Sequence, residues 1–117
     1  AAVKCVCLAR ALGIRSTATL EDVAPVEGIR GLDGAAVQAE LPCRFKLICR
    51  GQRDGDGVMK LSVVRSVVPP TSPLHSIEGS SSCVTLYTDV LGPLTIVQSN
   101  PTTRDTGYGL FADLCET

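Results

Sequence analysis

The feature that most constrains the fold is a pair of alternating apolar and polar runs separated by a glycine-rich loop. The runs cover residues 45–50 and 58–65, and the loop covers residues 51–57. Alternation with a period of two is typical of strands, and two such runs joined through a loop of this kind indicate an antiparallel hairpin. The loop contains Asp-Gly-Asp-Gly but lacks the carboxylate ladder and the distal Glu of an EF-hand, so it favours a turn over calcium binding.

The residues before this hairpin fall into short segments punctuated by Pro and Gly. Residues 1–12 are apolar except for two basic residues and are followed by Gly13, which predicts a helix buried on most of its faces. Residues 14–34 read as a connecting segment with at most one helical turn. A short helix over residues 34–41 is predicted to end at Pro42.

The second half of the chain repeats the strand pattern and ends in a helix. Residues 83–88 and 93–98 are predicted as a second strand pair, and a last helix is predicted over residues 102–116. This order predicts an α+β fold with a mixed, mainly antiparallel sheet, the helices packed on one face and the other face available to a partner subunit. We expect residues 1–117 to form one domain.

Charge and hydropathy argue against several classes of partner. Eleven basic and twelve acidic residues give a net charge of −1, which supplies no positive field for nucleic acid or an anionic membrane. Two Tyr, two Phe and no Trp leave few rings on which bases could stack. No apolar run approaches the roughly 20 residues of a membrane-spanning helix. We therefore expect neither a nucleic-acid nor a membrane partner.

The six cysteines do not form a pattern typical of a metal site or a disulfide framework. Cys5 and Cys7 are two positions apart, the other four are scattered singly, and no Cys-x-x-Cys pair exists. His75 is the only histidine, whereas a zinc site usually needs paired thiolates or several histidines. We expect no metal, and we interpret the cysteines as small buried hydrophobic residues in a reducing compartment, so the chain is not expected to be secreted.

Two polar residues are candidates for chemistry. Lys4 is the only charged residue before Arg10, and it is either a side chain that reaches solvent at the edge of the helix or an ammonium that donates a proton in a site. His75 lies among several serines near Pro73, where a turn is the expected role and a Ser-His-Asp arrangement is not supported. No strand is followed by a glycine-rich dinucleotide loop.

Six short motifs in a fixed order resemble the catalytic, substrate-binding half of homoserine dehydrogenase. They span nearly the whole chain. Taken singly they are weak, but their order makes chance similarity implausible. In sequence they are Lys4 with the apolar residues that lead to Ala9 and Arg10, then residues 26–29, 45–48, 67–79, 91–94 and 112–114.

The resemblance implies an NAD(P)-dependent oxidoreductase that interconverts L-aspartate 4-semialdehyde and L-homoserine in threonine, methionine and isoleucine biosynthesis. It implies that Lys4 is the catalytic lysine and that Thr106 lies at a cofactor-contacting position. NADP or NAD would bind mainly to a Rossmann domain upstream of Ala1, where a catalytic Asp would also lie. We therefore expect a fragment that is inactive alone, a homodimer formed through the sheet, and a cytoplasmic or plastid location.

Two departures from the family pattern keep a second function class open. Ser72 stands where the family usually has His, so His75 inherits no role from that position. The glycine-rich turn that precedes the last helix in the family is replaced over residues 99–107, so its close backbone approach to a cofactor is not supported. The alternative is a non-catalytic α+β module for dimeric interaction or ligand binding.

Overall fold

The structure, a computed structural model, describes residues 1–39 and 41–116. The chain divides into two compact units, Ala1–Pro69 and Pro70–Thr117, which are described separately. No helix in the described residues has both the length and the apolar character needed to cross a membrane.

The first unit contains two helices and a three-stranded sheet. Its strands are ordered β1-β3-β2, with β1 parallel to β3 and β2 antiparallel to β3. The elements in chain order are α1 (Ala2–Ala11), a 3-10 turn (Leu20–Asp22), β1 (Val23–Val26), α2 (Gly34–Ala39), β2 (Arg44–Arg53) and β3 (Met59–Val68). The predicted hairpin is confirmed, because β2 and β3 pair in continuous register from Arg44 opposite Val68 to Arg53 opposite Met59.

The hairpin loop is shorter than the sequence predicted, because β2 continues through Gly51. That glycine lies opposite Leu61, and a side-chain methyl at its position would come within 3.3 Å of Leu61 Cδ2. The remaining turn is organised by Asp54, whose Oδ1 accepts the backbone N–H groups of Asp56 at 3.1 Å and Val58 at 2.9 Å. Lys60 Nζ lies 3.1 Å from Asp54 Oδ2. The Asp54 carboxylate thus stabilises the turn by accepting backbone N–H groups.

The interpretation of residues 14–34 as a connector is wrong in one respect, because this segment contains β1. Val23 lies opposite Leu61 and Val26 opposite Val63, with a register irregularity between them. A four-residue strand that includes Pro25 is too short to show alternation, and its pairing partner is distant in sequence. Strand formation here therefore depends on the neighbouring β3 rather than on local pattern.

The core of the first unit lies between one face of α1 and the sheet. Its buried side chains are Cys5, Val6, Ala9, Ala18, Val23, Leu61 and Val63. The prediction that α1 is buried on most faces is wrong, because Val3 remains 60% exposed and Leu8 39% exposed. A three-stranded sheet can cover only one side of a helix, and no second layer among the described residues of this unit covers the other. The end of α1 was predicted correctly: Gly13 follows it with φ of +65°, a conformation that favours glycine.

The second unit consists of a strand pair and a helix. They are β4 (Ser82–Thr88), β5 (Gly92–Gln98) and α3 (Thr103–Glu116), all three close to the predicted bounds. The strands pair antiparallel, and the hydroxyls of Thr85 and Thr95 lie 3.1 Å apart across them. None of the residues described in this unit is buried. The α+β class with mixed, antiparallel-rich sheets is as predicted, and α1 is the helix seen packed on a sheet.

The interpretation of the cysteines as buried hydrophobic residues is correct only for Cys5. Cys43, Cys49 and Cys83 are half-buried, whereas Cys7 and Cys115 are exposed, and all six are free thiols. Burial of a small apolar side chain depends on which face of its element meets the core, and spacing along the sequence does not reveal that face.

Candidate functional site

Helix α1 holds Lys4 on the side that faces away from the sheet. Cys5, Val6 and Ala9 fix the buried face of the helix, each with 7% exposure or less. With 3.6 residues per turn, position 4 lies roughly opposite the centre of that buried face. Lys4 is accordingly exposed. The core therefore fixes the orientation of the helix and, with it, the direction from which Lys4 leaves the backbone.

The surroundings of Lys4 on this outward face are mainly apolar. Cys7 and Leu8 lie three and four positions further along, which makes them its neighbours on the helix surface. Val3 and Leu12 add further exposed apolar surface, at 60% and 46% exposure. A lysine at the edge of a solvated helix is usually accompanied by other polar residues. Here it stands within an apolar strip, which is typical of a surface that another part of a protein or a ligand covers.

A shallow open groove of about 490 Å3 runs between α1 and the 3-10 turn. Its charged groups are Arg10 on the helix and Glu21 on the turn, and its other walls are apolar or small polar side chains. The lining residues are Val3, Val6, Cys7, Arg10, Thr19, Leu20 and Glu21. Lys4 is not one of them, but Val3 and Cys7 belong both to the groove and to the strip around Lys4.

The segment that forms the far side of the groove is held to α1 and to the sheet by two arginines. Arg10 Nε donates to the Ala18 carbonyl oxygen at 2.6 Å. Arg15 donates through Nη1 to the Met59 carbonyl oxygen at 3.3 Å and through Nη2 to Asp22 Oδ1 at 2.5 Å. The 3-10 turn, which has no buried residue of its own, is thus positioned by charge-assisted hydrogen bonds.

Asp22 is a capping residue whose role the sequence analysis missed. Its Oδ2 accepts the Thr19 backbone N–H at 2.7 Å and the Thr19 hydroxyl at 3.0 Å. These two hydrogen bonds, together with the nearby Arg15 guanidinium, hold the pKa of the Asp22 carboxyl below its ordinary value. A Thr followed three positions later by an acidic residue is a capping-box pattern, so the signal was present in the sequence.

The motif over residues 26–29 has a structural role at the end of β1. Glu27 donates its backbone N–H to the Val63 carbonyl oxygen at 2.8 Å, and its Oε2 accepts the Arg65 backbone N–H at 2.6 Å. Arg65 Nε lies 3.7 Å from the same oxygen. Glu27 therefore extends the pairing between β1 and β3 beyond the last residue of the strand.

The motif over residues 67–79 leads from β3 into a turn that contains His75. The His75 backbone N–H donates to the Ser72 carbonyl oxygen at 3.0 Å, and the Leu74 N–H donates to Ser72 Oγ at 3.3 Å. Ser72 thus acts as the first residue of the turn, as expected for Ser before Pro. The described residues contain no group of three or more His, Cys, Asp or Glu side chains suited to a metal ion.

Thr106, the predicted cofactor-contacting residue, lies in the first turns of α3 in the second unit. It is exposed, and its backbone N–H donates to the Thr102 carbonyl oxygen at 3.4 Å. Asp105 Oδ2 accepts both the Thr102 N–H at 2.6 Å and the Thr102 hydroxyl at 2.7 Å. These hydrogen bonds lower the pKa of Asp105. The Asp105 carboxylate therefore takes up the Thr102 N–H, the backbone donor immediately before α3.

Comparisons with known proteins agree with the motif order. The sequence model of the family described as homoserine dehydrogenase matches residues 1–115. Crystal structures of Staphylococcus aureus homoserine dehydrogenase at pH 6.0 and pH 7.5 match with TM-scores of 0.80 and 22% sequence identity. These alignments cover 98% of this chain and 29% and 28% of those chains, respectively. A search of curated protein sequences finds no match.

The structural likeness, at this level of identity, establishes the fold. The family match establishes more, because it extends over almost every residue, from α1 with Lys4 to the last turn of α3. The chain spans less than a third of the length of the solved relatives. Because the family model matches residues 1–115, the chain belongs to the homoserine dehydrogenase family.

Proposed function

We propose that this chain is the substrate-binding part of an NAD(P)-dependent homoserine dehydrogenase that interconverts L-aspartate 4-semialdehyde and L-homoserine. The observation that carries the proposal is Lys4, which stands on the outward, apolar face of α1 while Cys5, Val6 and Ala9 anchor the opposite face. The resemblance gives the same lysine the catalytic role. Because the chain covers 29% of a solved relative, the complete reaction would belong to a larger protein.

Lys4 would supply the proton in the reduction direction. Addition of a hydride to the aldehyde carbon leaves the electron pair of the carbonyl bond on oxygen, and an ammonium donor within hydrogen-bond reach stabilises that developing charge. Transfer of the ammonium proton to this oxygen gives the hydroxyl of homoserine and a neutral amine. In the reverse direction the amine accepts the hydroxyl proton. The apolar strip around Lys4 would exclude water once it is covered, which strengthens this interaction.

The part of this chain that the structure describes does not form a dinucleotide site by itself. The described residues contain no Gly-x-Gly-x-x-Gly run between a strand and a helix, and the Thr102 N–H before α3 is taken by the Asp105 carboxylate. Thr106 can offer one exposed hydroxyl. Homoserine dehydrogenases use NAD or NADP, and the nicotinamide group supplies the hydride. We infer that most of its binding surface lies outside this chain.

The test of the proposed function is replacement of Lys4 in the complete protein that the gene encodes. That protein should oxidise NADPH or NADH in the presence of aspartate semialdehyde. Loss of the proton donor in Lys4→Ala should lower kcat by about 10²–10⁴-fold. The fold should persist, since an exposed side chain contributes within about 0.5 kcal/mol to the free energy of unfolding.

Lys60→Ala is the matched control, because Lys60 is also an exposed lysine of the first unit and pairs with Asp54 in the hairpin turn. Its kcat should stay within about twofold of the unaltered protein. Equal loss in both variants would assign the effect to general destabilisation and remove Lys4 from the mechanism. No turnover of aspartate semialdehyde by the unaltered complete protein would refute the enzyme proposal itself.

We further propose that the protein is a homodimer formed through the second unit. An isolated two-stranded pair is marginal in water, and one face of the β4–β5 pair presents Leu94 at 45% and Ile96 at 58% exposure. A second copy would cover this apolar face. Sedimentation velocity of the complete protein should give a dimer, and Ile96→Glu should convert it to a monomer by burying a charge at the interface. An unchanged dimer in that variant would place the interface elsewhere.

The alternative of a non-catalytic interaction or ligand-binding module is less well supported, because the family match extends over residues 1–115. Its support is the altered segment before α3, where the Thr102 N–H is bonded to the Asp105 carboxylate. We propose a cytoplasmic or plastid location, which six free thiols favour. Expression of the complete protein with a fluorescent tag, followed by fractionation, tests that location.

A further inference from the structure

We propose that Cys5 on α1 and Cys49 on β2 are a redox-active pair that closes a reversible disulfide between the helix and the sheet when a small-molecule disulfide is present. This modification site is separate from the proposed dehydrogenase activity and does not depend on it. The two residues are far apart in the sequence, and only the packing of α1 on β2 brings them together.

The thiols of Cys5 and Cys49 lie at the same helix–sheet contact, each against a backbone carbonyl of the opposite side. The Ala1 carbonyl oxygen accepts the Cys5 backbone N–H at 3.1 Å and the Cys49 thiol at 3.4 Å. In the opposite direction, the Cys5 thiol lies 3.9 Å from the carbonyl oxygen of Arg50, the residue next to Cys49. Cys49 is also close enough to the Cys5 thiol to raise its pKa. These reciprocal contacts place the sulfur atoms on facing sides of one interface.

The two cysteines differ in access to solvent. Cys5 is 5% exposed within the core, whereas Cys49 is half-buried and packs against the edge of the core. Burial raises the pKa of the Cys5 thiol, and the neighbouring Cys49 raises it further. A thiol reacts through its thiolate and needs an approach path. Cys49 is therefore the residue that meets an external oxidant first, and Cys5 is the residue that resolves the product.

The chemistry is two successive thiol–disulfide exchanges with oxidised glutathione. The Cys49 thiolate attacks one glutathione sulfur, a Cys49–glutathione bond forms, and the first glutathione leaves as a thiolate. Cys5 then loses its proton to solvent and attacks Cys49 Sγ, which releases the second glutathione. The two protein thiols are oxidised by two electrons, and one glutathione disulfide is reduced to two thiols. A dithiol such as dithiothreitol reverses both steps.

The bond would fix α1 on β2 next to Lys4. It would also close a long loop that contains the 3-10 turn, β1 and α2, and a cross-link across a long loop restricts the unfolded chain. The oxidised first unit should therefore melt at a higher temperature than the reduced one. The difference should disappear after treatment with dithiothreitol.

The experiment uses the double variant Cys7→Ser, Cys115→Ser, which removes the two exposed thiols and with them the most accessible route to intermolecular disulfides. The native chain is incubated with oxidised glutathione, the remaining thiols are alkylated after denaturation, and the digest is analysed by mass spectrometry. The expected result is one peptide pair joined through Cys5 and Cys49, together with a rise in Tm of several degrees that dithiothreitol reverses.

Cys49→Ala in the same background is the decisive variant, because Cys49 is only half-buried and its truncation leaves the core residues in place. It should show no joined peptide and no reversible rise in Tm. Should this variant fail to fold, the peptide map of the parent alone decides the question. A Cys49–glutathione adduct with Cys5 still alkylated, or a joined peptide linking Cys5 to another cysteine, would overturn the proposal.

Discussion

The two units of this chain contrast in how they bury their apolar residues. Every residue of the buried core, from Cys5 to Val68, lies in Ala1–Pro69. None of the described residues of the second unit is buried, although that unit contains a strand pair and a helix of 14 residues. The first unit has a helix packed on a sheet and so encloses its own core, whereas the apolar side chains described in the second unit remain at least partly exposed.

Helices α1 and α3 show the same difference in the burial of their apolar residues. Both α1 and α3 carry apolar and polar residues, and neither has a strongly amphipathic pattern. On α1 three residues are buried, whereas on α3 Tyr108, Phe111 and Leu114 remain 73%, 63% and 74% exposed. A helix that contains apolar residues therefore does not form a buried core by itself. A core needs a second layer, and β1, β2 and β3 supply one for α1.

The largest expected effect is that the two units unfold at different urea concentrations. Both tyrosines, Tyr87 and Tyr108, lie in the second unit, so tyrosine fluorescence reports that unit. Amide hydrogen exchange at Leu61 and Val63 reports the first. Since local stability follows buried apolar contact, fluorescence should change at a lower urea concentration than exchange at β3. Coincident transitions would indicate one cooperative unit and remove the contrast.

The next effect is the cost of truncating a leucine in each unit. Leu61 is 2% exposed at the centre of the first core, and Leu61→Ala should lower the free energy of unfolding by about 2–5 kcal/mol through lost burial and the cavity left behind. Leu114→Ala is the matched control, and its cost should stay within about 0.5 kcal/mol. The measurement is urea unfolding, followed by exchange at Val63 for Leu61→Ala and by tyrosine fluorescence for Leu114→Ala. A comparable cost at both positions would contradict the contrast.

The smallest effect concerns two capping carboxylates with the same local geometry. Asp22 accepts the N–H and hydroxyl of Thr19, and Asp105 accepts those of Thr102. Asp22→Asn should lower the Tm of the first unit by a few degrees, since Asp22 also holds Arg15 against β3. Asp105→Asn should leave that Tm unchanged. The reverse ranking would mean that α3 stabilises the first unit.

The difference in Tm between the unaltered chain and Asp22→Asn depends on pH, because the pKa of Asp22 is lowered in the folded state. Because the folded pKa lies below the unfolded one, the stabilisation is complete above the ordinary aspartate value of 3.8. It is lost as the pH falls through the folded pKa. The gap in Tm between the unaltered chain and Asp22→Asn should therefore close below about pH 4. A gap that persists in acid would assign the effect to something other than the carboxylate charge.

Local chemistry predicted much of the fold. Alternation located β2 and β3, the turn residues located the β4–β5 pair, and Gly13 located the end of α1. The prediction failed at β1 because a strand of four residues takes its conformation from a partner far along the chain. The prediction for the burial of α1 failed because periodicity identifies a helix but does not show how many other elements will pack against it.

The candidate site was predicted less completely. The motif order identified Lys4, and its exposure on α1 fits the expected role without testing it. Thr106 and the cofactor assignment remain predictions. The capping role of Asp22 was readable from its spacing to Thr19 and was missed. The position of Arg15 between Asp22 and the Met59 carbonyl was not readable, because it joins elements that are distant in sequence.

The sequence by itself determined the α+β class, the antiparallel hairpin and the family, because these depend on local periodicity, turn chemistry and the order of short motifs. Tertiary structure alone decided which face of α1 is buried, that β1 pairs with β3, and that the Cys49 thiol lies against the start of α1 near Cys5. The physical reason is the separation along the sequence over which each effect acts. Backbone preferences act over a few residues, whereas burial and the proximity of two cysteines depend on which distant segments pack together.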